Sequence, residues 1–295
     1  FIDREPSAVY NKTNSPLENA HGNEGFYCRV DGLAFDKEGN LWMTNSEVSK
    51  AIKILDKEGK WHSLSVESLN GKYTINDILV TSNNDKWINI SRPTSQACLT
   101  VVTNSNSLDE ATSYEFKNFI DTDNNDFSPN NYTCMAEDKS GYIWIGTNNG
   151  LDLFDTLNGK FIHYNDGSKV HHPIFSIKQM SDGKLWLATE QGGVAILDIS
   201  ASMYVGNVNC KYDFIEEGNG ELDLTGNSVR CILEDEYHNV WLGLYGAGIN
   251  FITRNTPLFS LLSYSLVNPE KHISTKSVIG LGFDTKGNLL VGTDG

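Results

Sequence analysis

The chain has 295 residues, of which 39% are apolar, and it carries 38 acidic against 23 basic side chains. A formal charge of −15 argues against nucleic acid or an anionic membrane surface as a partner, because both attract basic patches. The apolar content suffices for a large folded core, and no apolar run reaches the ~18 residues that would predict a membrane-spanning helix.

Six phrases of one pattern recur along the chain. They occupy residues 30–45, 75–90, 132–147, 174–189, 229–244 and 278–293. The same slot holds a tryptophan in five of them, namely Trp42, Trp87, Trp144, Trp186 and Trp241, and Leu290 in the sixth. An aspartate lies six positions before this slot in four phrases, as Asp36, Asp138, Asp235 and Asp284. A glycine lies three positions before the slot in four phrases, and Asn84 or His238 replaces it in the other two.

The pattern predicts a β-hairpin. An apolar strand ends in a D-x-x-G turn, in which the aspartate can accept hydrogen bonds from turn amides and the glycine supplies a left-handed residue. Asparagine and histidine are among the residues that best tolerate positive φ, so Asn84 and His238 fit the same turn. A second strand, another tight turn, a third strand and a more variable fourth follow. Each repeat is therefore predicted to form a four-stranded antiparallel sheet.

The predicted fold class is all-β, and the predicted architecture is a β-propeller. Units of this period with one tryptophan each pack radially as blades, and the tryptophans fill the space between neighbouring sheets. The repeat count predicts six blades in a single domain over residues 1–295, starting near residues 30, 75, 132, 174, 229 and 278. A seventh blade or a longer array remains an alternative. Because "FIDREP" at 1–6 is similar to "FITRNTP" at 251–257, residues 1–20 are expected to supply outer strands that close the last blade.

The repeats resemble the two-component regulator propeller repeat, with its D-x-x-G-x-x-W-x-G-T phrase and glycine-rich turn. The stretches 227–265 and 273–295 resemble the periplasmic sensor region of Bacteroides-type hybrid two-component systems. This resemblance implies a non-enzymatic, periplasmic sensing propeller that responds to oligosaccharides and regulates polysaccharide-utilisation genes. It also implies further domains of the same chain, including a histidine kinase outside these residues, and a possible homodimer.

Two other families share features with the chain. Residues 9–46 read like the N-terminal repeats of the type IX secretion propeller, which would make the chain a structural or adaptor protein at the outer-membrane surface. Streptogramin-lyase-like propellers are the third relative, and they are enzymes. A lyase-like arrangement of histidine and glutamate stays open, because sequence separation hides which residues meet across a propeller.

Candidate ligand-binding residues lie where the first strand of each repeat begins and the second ends. This edge collects variable polar and aromatic side chains of the kind that bind sugars, where rings contact C–H faces and polar groups bind hydroxyls or carboxylates. The candidates are Arg230 and Tyr245 first, then Tyr132, Asn148, Asn149, His172, Glu190, Gln191 and Lys276, with Asn131, Asn227 and Asp294 beside them. For most of these positions an ordinary turn residue is the competing interpretation.

Neither a metal nor a cofactor is predicted, and no catalytic residues are assigned. The sequence lacks HExxH, GxSxG and phosphate-loop motifs. The pair His171–His172 and the acidic run 121–126 are interpreted as polar loops, since the run has neither the glycine nor the terminal glutamate of a calcium loop. The five cysteines show no zinc spacing, and Cys134 and Cys231 share one slot of an apolar strand, which predicts that both are buried as small apolar side chains.

Overall fold

The computed structural model divides the chain into two units, Phe1–Ile252 and Thr253–Gly295. The residues that the structure describes are 8–20, 27–69, 71, 74–91, 99–103, 108, 115–118, 132–164, 170, 172–199, 204, 212–218, 224–253, 278–284, 286 and 289–293. All regular elements longer than a single turn in this described part are β-strands, and each pairs antiparallel with its neighbour in sequence. The all-β prediction is confirmed. The predicted closure by residues 1–6 lies outside the described residues.

The first unit contains five sheets. Sheet 1 comprises β1 (Val30–Phe35), β2 (Leu41–Asn45), β3 (Ile52–Leu55) and β4 (Trp61–Leu64). Sheet 2 comprises β5 (Thr74–Val80), β6 (Lys86–Ser91), β7 (Leu99–Thr103) and β8 (Glu115–Asn118). Sheet 3 comprises β9 (Tyr132–Glu137), β10 (Ile143–Thr147), β11 (Gly150–Asp155) and β12 (Lys160–Tyr164). Sheet 4 comprises β13 (Ile174–Gln179), β14 (Leu185–Thr189), β15 (Val194–Leu197) and β16 (Tyr212–Ile215). Sheet 5 comprises β17 (Val229–Glu234), β18 (Val240–Leu244) and β19 (Gly248–Ile252).

The sheets of the first unit pack in chain order through their first strands. Strand β1 contacts β5, β5 contacts β9, β9 contacts β13 and β13 contacts β17. Four buried apolar clusters fill the spaces between consecutive sheets. This is the packing of propeller blades, and the four-stranded units predicted from the sequence are confirmed. The second unit contains the hairpin of β20 (Val278–Phe283) and β21 (Leu289–Thr293). The total number of blades stays a prediction.

The D-x-x-G turns have the predicted geometry. The turn glycines Gly39, Gly141 and Gly183 have φ of 88°, 82° and 87°. Asn84 and His238 occupy the same position with φ of 66° and 64°, which confirms that they replace glycine in this left-handed slot.

The aspartate and the tryptophan of a repeat are joined by a hydrogen bond. The indole Nε1 donates to the carboxylate over 2.8 Å from Trp42 to Asp36, 2.8 Å from Trp144 to Asp138 and 3.0 Å from Trp241 to Asp235. The other carboxylate oxygen of the same aspartate accepts from two amides of its turn. The six-residue spacing thus reflects one side chain that organises both a turn and the orientation of an indole.

Each tryptophan lies on the face of its sheet that is directed toward the next sheet. Trp42, Trp87, Trp144 and Trp186 are buried there, with at most 5% of each side chain exposed. Trp241 differs, because 40% of it is exposed. Sheet 5 is the last sheet of the first unit, so this face has no following sheet within that unit. Cys231 is exposed on the same face, so its predicted burial is wrong, whereas Cys134 is buried. The three described cysteines carry free thiols.

Every first strand contains an irregularity at the same place. The pairing of first with second strand skips Asn76, Thr133, Phe175 and Arg230, and in sheet 1 it shifts between Val30 and Leu33. A β-bulge of this kind leaves one residue out of the ladder and redirects its side chain. The bulges therefore present one residue per repeat at the end of the sheet opposite the D-x-x-G turn.

We expect Asp138→Ala to lower the free energy of unfolding by about 3 kcal/mol, because it removes the charged acceptor of both the buried Trp144 indole and the Tyr204 hydroxyl. Urea denaturation of the chain measures this change. Asp56→Ala is the matched control, since Asp56 accepts from two amides in a similar turn, but its other oxygen binds the His62 imidazole instead of an indole. Equal losses in the two variants would contradict a special role for the indole bond.

Asp36 makes this bond dependent on pH. Burial raises the pKa of Asp36, but hydrogen bonds from Asn40 and Trp42 outweigh it, so the pKa lies below its ordinary value of 3.8. A carboxylate with a depressed folded pKa contributes stability above its unfolded pKa, and this is lost as pH falls through the folded pKa. We expect Asp36→Asn to destabilise the chain at neutral pH and the difference to shrink below about pH 3.8. Denaturation curves across this range measure it, and a constant difference would contradict the assignment.

Candidate ligand-binding rim

The candidates among the described residues lie at one end of the sheets, opposite the D-x-x-G turns. The register pairs Val229 with Leu244, so that Arg230 and Tyr245 follow them at the same end of sheet 5. In sheet 4 the register pairs Ile174 with Thr189, and Glu190 follows. We call this end of the sheets the rim.

Four side chains from sheets 4 and 5 meet at the rim. Arg230 Nη2 donates to Glu190 Oε1 over 3.1 Å. The Arg230 guanidinium carbon lies 3.8 Å from the ring centroid of Phe175 and 5.1 Å from that of Tyr245. We call Phe175, Glu190, Arg230 and Tyr245 the rim cluster. It unites the two leading candidates with Glu190 across the boundary between two sheets.

Backbone geometry explains why these four residues meet. Phe175 and Arg230 are the bulge residues of β13 and β17, so both leave the ladder at equivalent points of neighbouring strands. The amide of Glu190 donates to the Pro173 carbonyl, and the amide of Tyr245 donates to the Ser228 carbonyl. These bonds fix the turns that carry the acid and the phenol. Rigid strand ends and anchored turns position the rim cluster.

Phe175 is the member of the rim cluster that the sequence analysis missed. It occupies the slot of "IFSIKQM" that Arg230 occupies in "VRCILED". Alignment of the repeats therefore places Phe175 and Arg230 at equivalent positions. Only the strand pairing shows that this position is a β-bulge, which directs both side chains to the rim.

Tyr132 is not available at the rim. Its ring is fully buried between sheets 2 and 3, in the cluster that includes Trp87, and its hydroxyl lies against Asp152. Asp152 is itself buried and hydrogen bonds with His163. Burial raises the pKa of Asp152, although the His163 contact opposes this shift. This strand end therefore turns the Tyr132 side chain into the core, and contact of Tyr132 with a ligand stays a prediction.

The remaining candidates lie apart from the rim cluster or serve the fold. Asn227 accepts the Glu217 amide with its side chain and the Gly193 amide with its backbone carbonyl, so it holds two turns together. Gln191 is exposed beside Glu190, and His172 is partly buried before β13. Asn148 and Asn149 are exposed in the β10–β11 turn of sheet 3. The candidates Asn131, Lys276 and Asp294, together with His171 and the run 121–126, lie outside the described residues.

The rim cluster offers aromatic surface and balanced charge. Tyr245 is 74% exposed, so most of its surface can contact a ligand. The Arg230 and Glu190 side chains are 36% and 38% exposed, and each compensates the charge of the other. A ring face beside a paired donor and acceptor suits a ligand with apolar C–H faces and several hydroxyl groups.

Two other kinds of feature are absent from the described residues. No three His, Cys, Asp or Glu side chains among them are arranged to hold a metal ion. In the same part of the chain, no helix has the length and apolarity needed to cross a membrane.

The repeats match a known family model. The model described as "Two component regulator propeller" matches residues 126–149 and 223–246, which contain the whole of the third and fifth tryptophan phrases. No curated protein matches the chain in sequence.

Solved structures resemble the chain over most of its length. The extracellular domain of a protein described as a hybrid two-component system of B. thetaiotaomicron is 28% identical, with 90% of this chain and 32% of that chain covered and a TM-score of 0.56. The extracellular domain of a second such protein from that organism is 19% identical, with coverages of 92% and 33% and a TM-score of 0.58. PorZ, a surface component of the type IX secretion system of Porphyromonas gingivalis, is 18% identical, with coverages of 84% and 34% and a TM-score of 0.64. The similarity to the last two structures shows only that the fold is shared. The chain spans about a third of the length of each of the three structures.

We expect the pair of Arg230 and Glu190 to contribute little to stability. Partly exposed ion pairs typically contribute about 0–1 kcal/mol. Glu190→Gln should therefore change the free energy of unfolding by less than about 1 kcal/mol, which urea denaturation measures. A much larger loss of unfolding free energy would show that the Arg230–Glu190 pair stabilises the fold, which would contradict a role in ligand binding.

Proposed function

We propose that this chain, which carries two-component regulator propeller repeats, is a ligand-sensing part of the periplasmic region of a hybrid two-component protein and that its ligand is an oligosaccharide. The family match and the likeness to the extracellular domain that is 28% identical support the sensor assignment. The likeness to the secretion component supports only the shared fold.

The rim cluster is the observation that supports an oligosaccharide as the ligand. An exposed tyrosine beside an arginine–glutamate pair provides stacking and hydrogen bonding within one site. Sugars need both, because their rings have apolar faces and hydroxyl edges. The rim cluster lies on two sheets, so one bound oligosaccharide contacts residues from both.

Signalling in this proposal proceeds by population shift. The ligand stabilises one arrangement of a dimeric periplasmic region, and a histidine kinase elsewhere in the protein responds to that arrangement. The output is a change in the expression of polysaccharide-utilisation genes. A ligand shifts such an equilibrium only by its difference in affinity between the two arrangements.

A thermal-shift panel of neutral and acidic plant and host oligosaccharides tests the proposal. A ligand at 100 times its dissociation constant stabilises the fold by about 2.7 kcal/mol, which raises the melting temperature measurably. For a ligand found in this way, we expect Tyr245→Ala to weaken binding about tenfold and Arg230→Lys to weaken it as well, because lysine loses the planar contacts of the guanidinium.

Tyr237→Ala is the matched control for this experiment. Tyr237 is 62% exposed, but it lies in the D-x-x-G turn at the opposite end of sheet 5. Its removal should leave the affinity unchanged. A panel without any hit on the folded chain, or equal losses in the Tyr245 and Tyr237 variants, would contradict oligosaccharide binding at the rim.

A further inference from the structure

A cavity of about 260 Å³ lies between sheets 2 and 3, at the end of the sheets that carries the D-x-x-G turns. Its floor consists of Trp87 and Val101 from sheet 2 and Ile143 and Phe154 from sheet 3. The rim cluster lies at the other end of the sheets and belongs to sheets 4 and 5. The cavity is therefore separate from the rim.

The equivalent space between sheets 3 and 4 is filled by the chain itself. Tyr204, from the connection between β15 and β16, stacks on Tyr142 with ring centroids 4.2 Å apart and planes at 22°. Its hydroxyl donates to Asp138 over 2.9 Å, and its ring packs on the cluster that contains Trp144 and Leu185. A hydroxylated ring therefore occupies this inter-sheet space, with its face on an aromatic side chain and its edge on a carboxylate.

The length of the connection between the third and fourth strands explains why the space between sheets 2 and 3 is open, whereas the neighbouring inter-sheet spaces are filled. Residues 104–114 join β7 to β8, and Leu108 from this connection packs into the cluster between sheets 1 and 2. Sheet 4 supplies Tyr204 from residues 198–211 in the same way. In sheet 3 only residues 156–159 join β11 to β12, and Asp155 caps this tight turn by accepting the amides of Leu157 and Asn158. This turn is too short to reach the space that the longer connections fill.

Sequence differences in sheet 2 enlarge the same space. Thr81 stands where Asp36 and Asp138 bind their indoles, and it is shorter than aspartate. Asp85 stands at the position of Tyr142, whose ring supports Tyr204 in the next space. The mouth of the cavity is therefore lined by small polar side chains, among them Asn83, Asp85, Thr103 and Thr156.

We propose that this inter-sheet cavity binds a single neutral pyranose ring. The indole and phenyl groups of the floor suit the C–H face of such a ring, and the hydroxyl, amide and carboxylate groups of the mouth suit its hydroxyl edge. The volume lies just below the ~300–1,000 Å³ typical of pockets for drug-sized ligands, so it matches one ring rather than a chain of sugars.

The charges of the lining select a neutral ring. None of the described residues that line the cavity is Lys, Arg or His, which disfavours an anionic sugar. The lining carboxylates are already engaged: Glu137 accepts the amide and the hydroxyl of Ser82, and Lys86 lies within Coulombic reach of Asp85. Their charge is thus partly balanced, which favours hydroxyl donors over an ammonium group.

A variant that fills the cavity tests the proposal. Thr156→Tyr introduces a hydroxylated ring at the mouth, as Tyr204 does between sheets 3 and 4. Leu157→Tyr is the matched control, because Leu157 is the next residue of the same turn and is 81% exposed. Saturation-transfer NMR and titration calorimetry of the 295-residue chain would use the methyl glycosides of glucose, galactose and mannose as neutral probes, glucuronate as the anion and glucosamine as the cation.

We expect at least one neutral glycoside to bind, with its affinity reduced at least tenfold by Thr156→Tyr and unchanged by Leu157→Tyr. Thr103→Val removes one hydroxyl of the mouth without filling the cavity, and it should weaken binding roughly threefold to tenfold. This second variant keeps the test valid if Thr156→Tyr does not fold. Tyr245→Ala at the rim should leave the affinity unchanged, so that the cavity and the rim are tested separately.

Three results would overturn the proposal. The first is that no neutral glycoside binds to the folded chain. The second is that binding survives in both Thr156→Tyr and Thr103→Val. The third is that glucosamine or glucuronate binds at this cavity more tightly than every neutral glycoside, which would show that the lining selects a charge.

Discussion

In sheets 1 and 3, the hydrogen bond from the repeat tryptophan to the repeat aspartate is the constraint that orients the indole for packing against the next sheet. A buried carboxylate is costly unless its oxygens are hydrogen bonded. In sheets 1 and 3 one oxygen accepts two turn amides and the other accepts the indole, so the turn and the second strand stabilise each other. The indole held in this way directs its large apolar face at the next sheet. One side-chain contact thereby links local turn geometry to packing between sheets.

The same constraint decides where the repeats can vary. At the turn end of sheets 1 and 3, one hydrogen-bond network joins the aspartate, the glycine and the tryptophan. At the rim, the bulge slot is released from the ladder and holds a different residue in each of the four sheets after the first: Asn76, Thr133, Phe175 and Arg230. Variable side chains on rigid strand ends are a suitable basis for a binding site. The rim cluster arises where two such slots, an aromatic and a cationic one, are neighbours.

Local features of this fold could be predicted from sequence, and features that depend on neighbouring sheets could not. The positive φ of Asn84 and His238 follows from one turn pattern, and Glu190 and Tyr245 fall at equivalent ends of their strands. The burial of Tyr132, the exposure of Trp241 and the contact of Phe175 with Arg230 depend on which face meets another sheet. A repeat alignment gives the position of each residue within its sheet, but it does not show which residues of the neighbouring sheet that residue contacts. The cavity was invisible for the same reason, since it follows from a connection that is short relative to those of the neighbouring sheets.

Different side chains occupy the equivalent spaces between neighbouring sheets of this fold. Between sheets 1 and 2, Lys86 is almost fully buried, with its ammonium 4.6 Å from the centroid of the Trp42 ring, and burial lowers its pKa despite the nearby Asp36. Between sheets 3 and 4, Tyr204 provides a ring and a hydroxyl. Ligand in the space between sheets 2 and 3 would contact Trp87 and Phe154, whose rings already pack 5.1 Å apart across that boundary. Because a ligand stabilises the state that binds it, occupancy there would strengthen the packing of sheets 2 and 3, whereas a ligand at the rim would join the strand ends of sheets 4 and 5. The two sites would therefore act on different parts of the same fold.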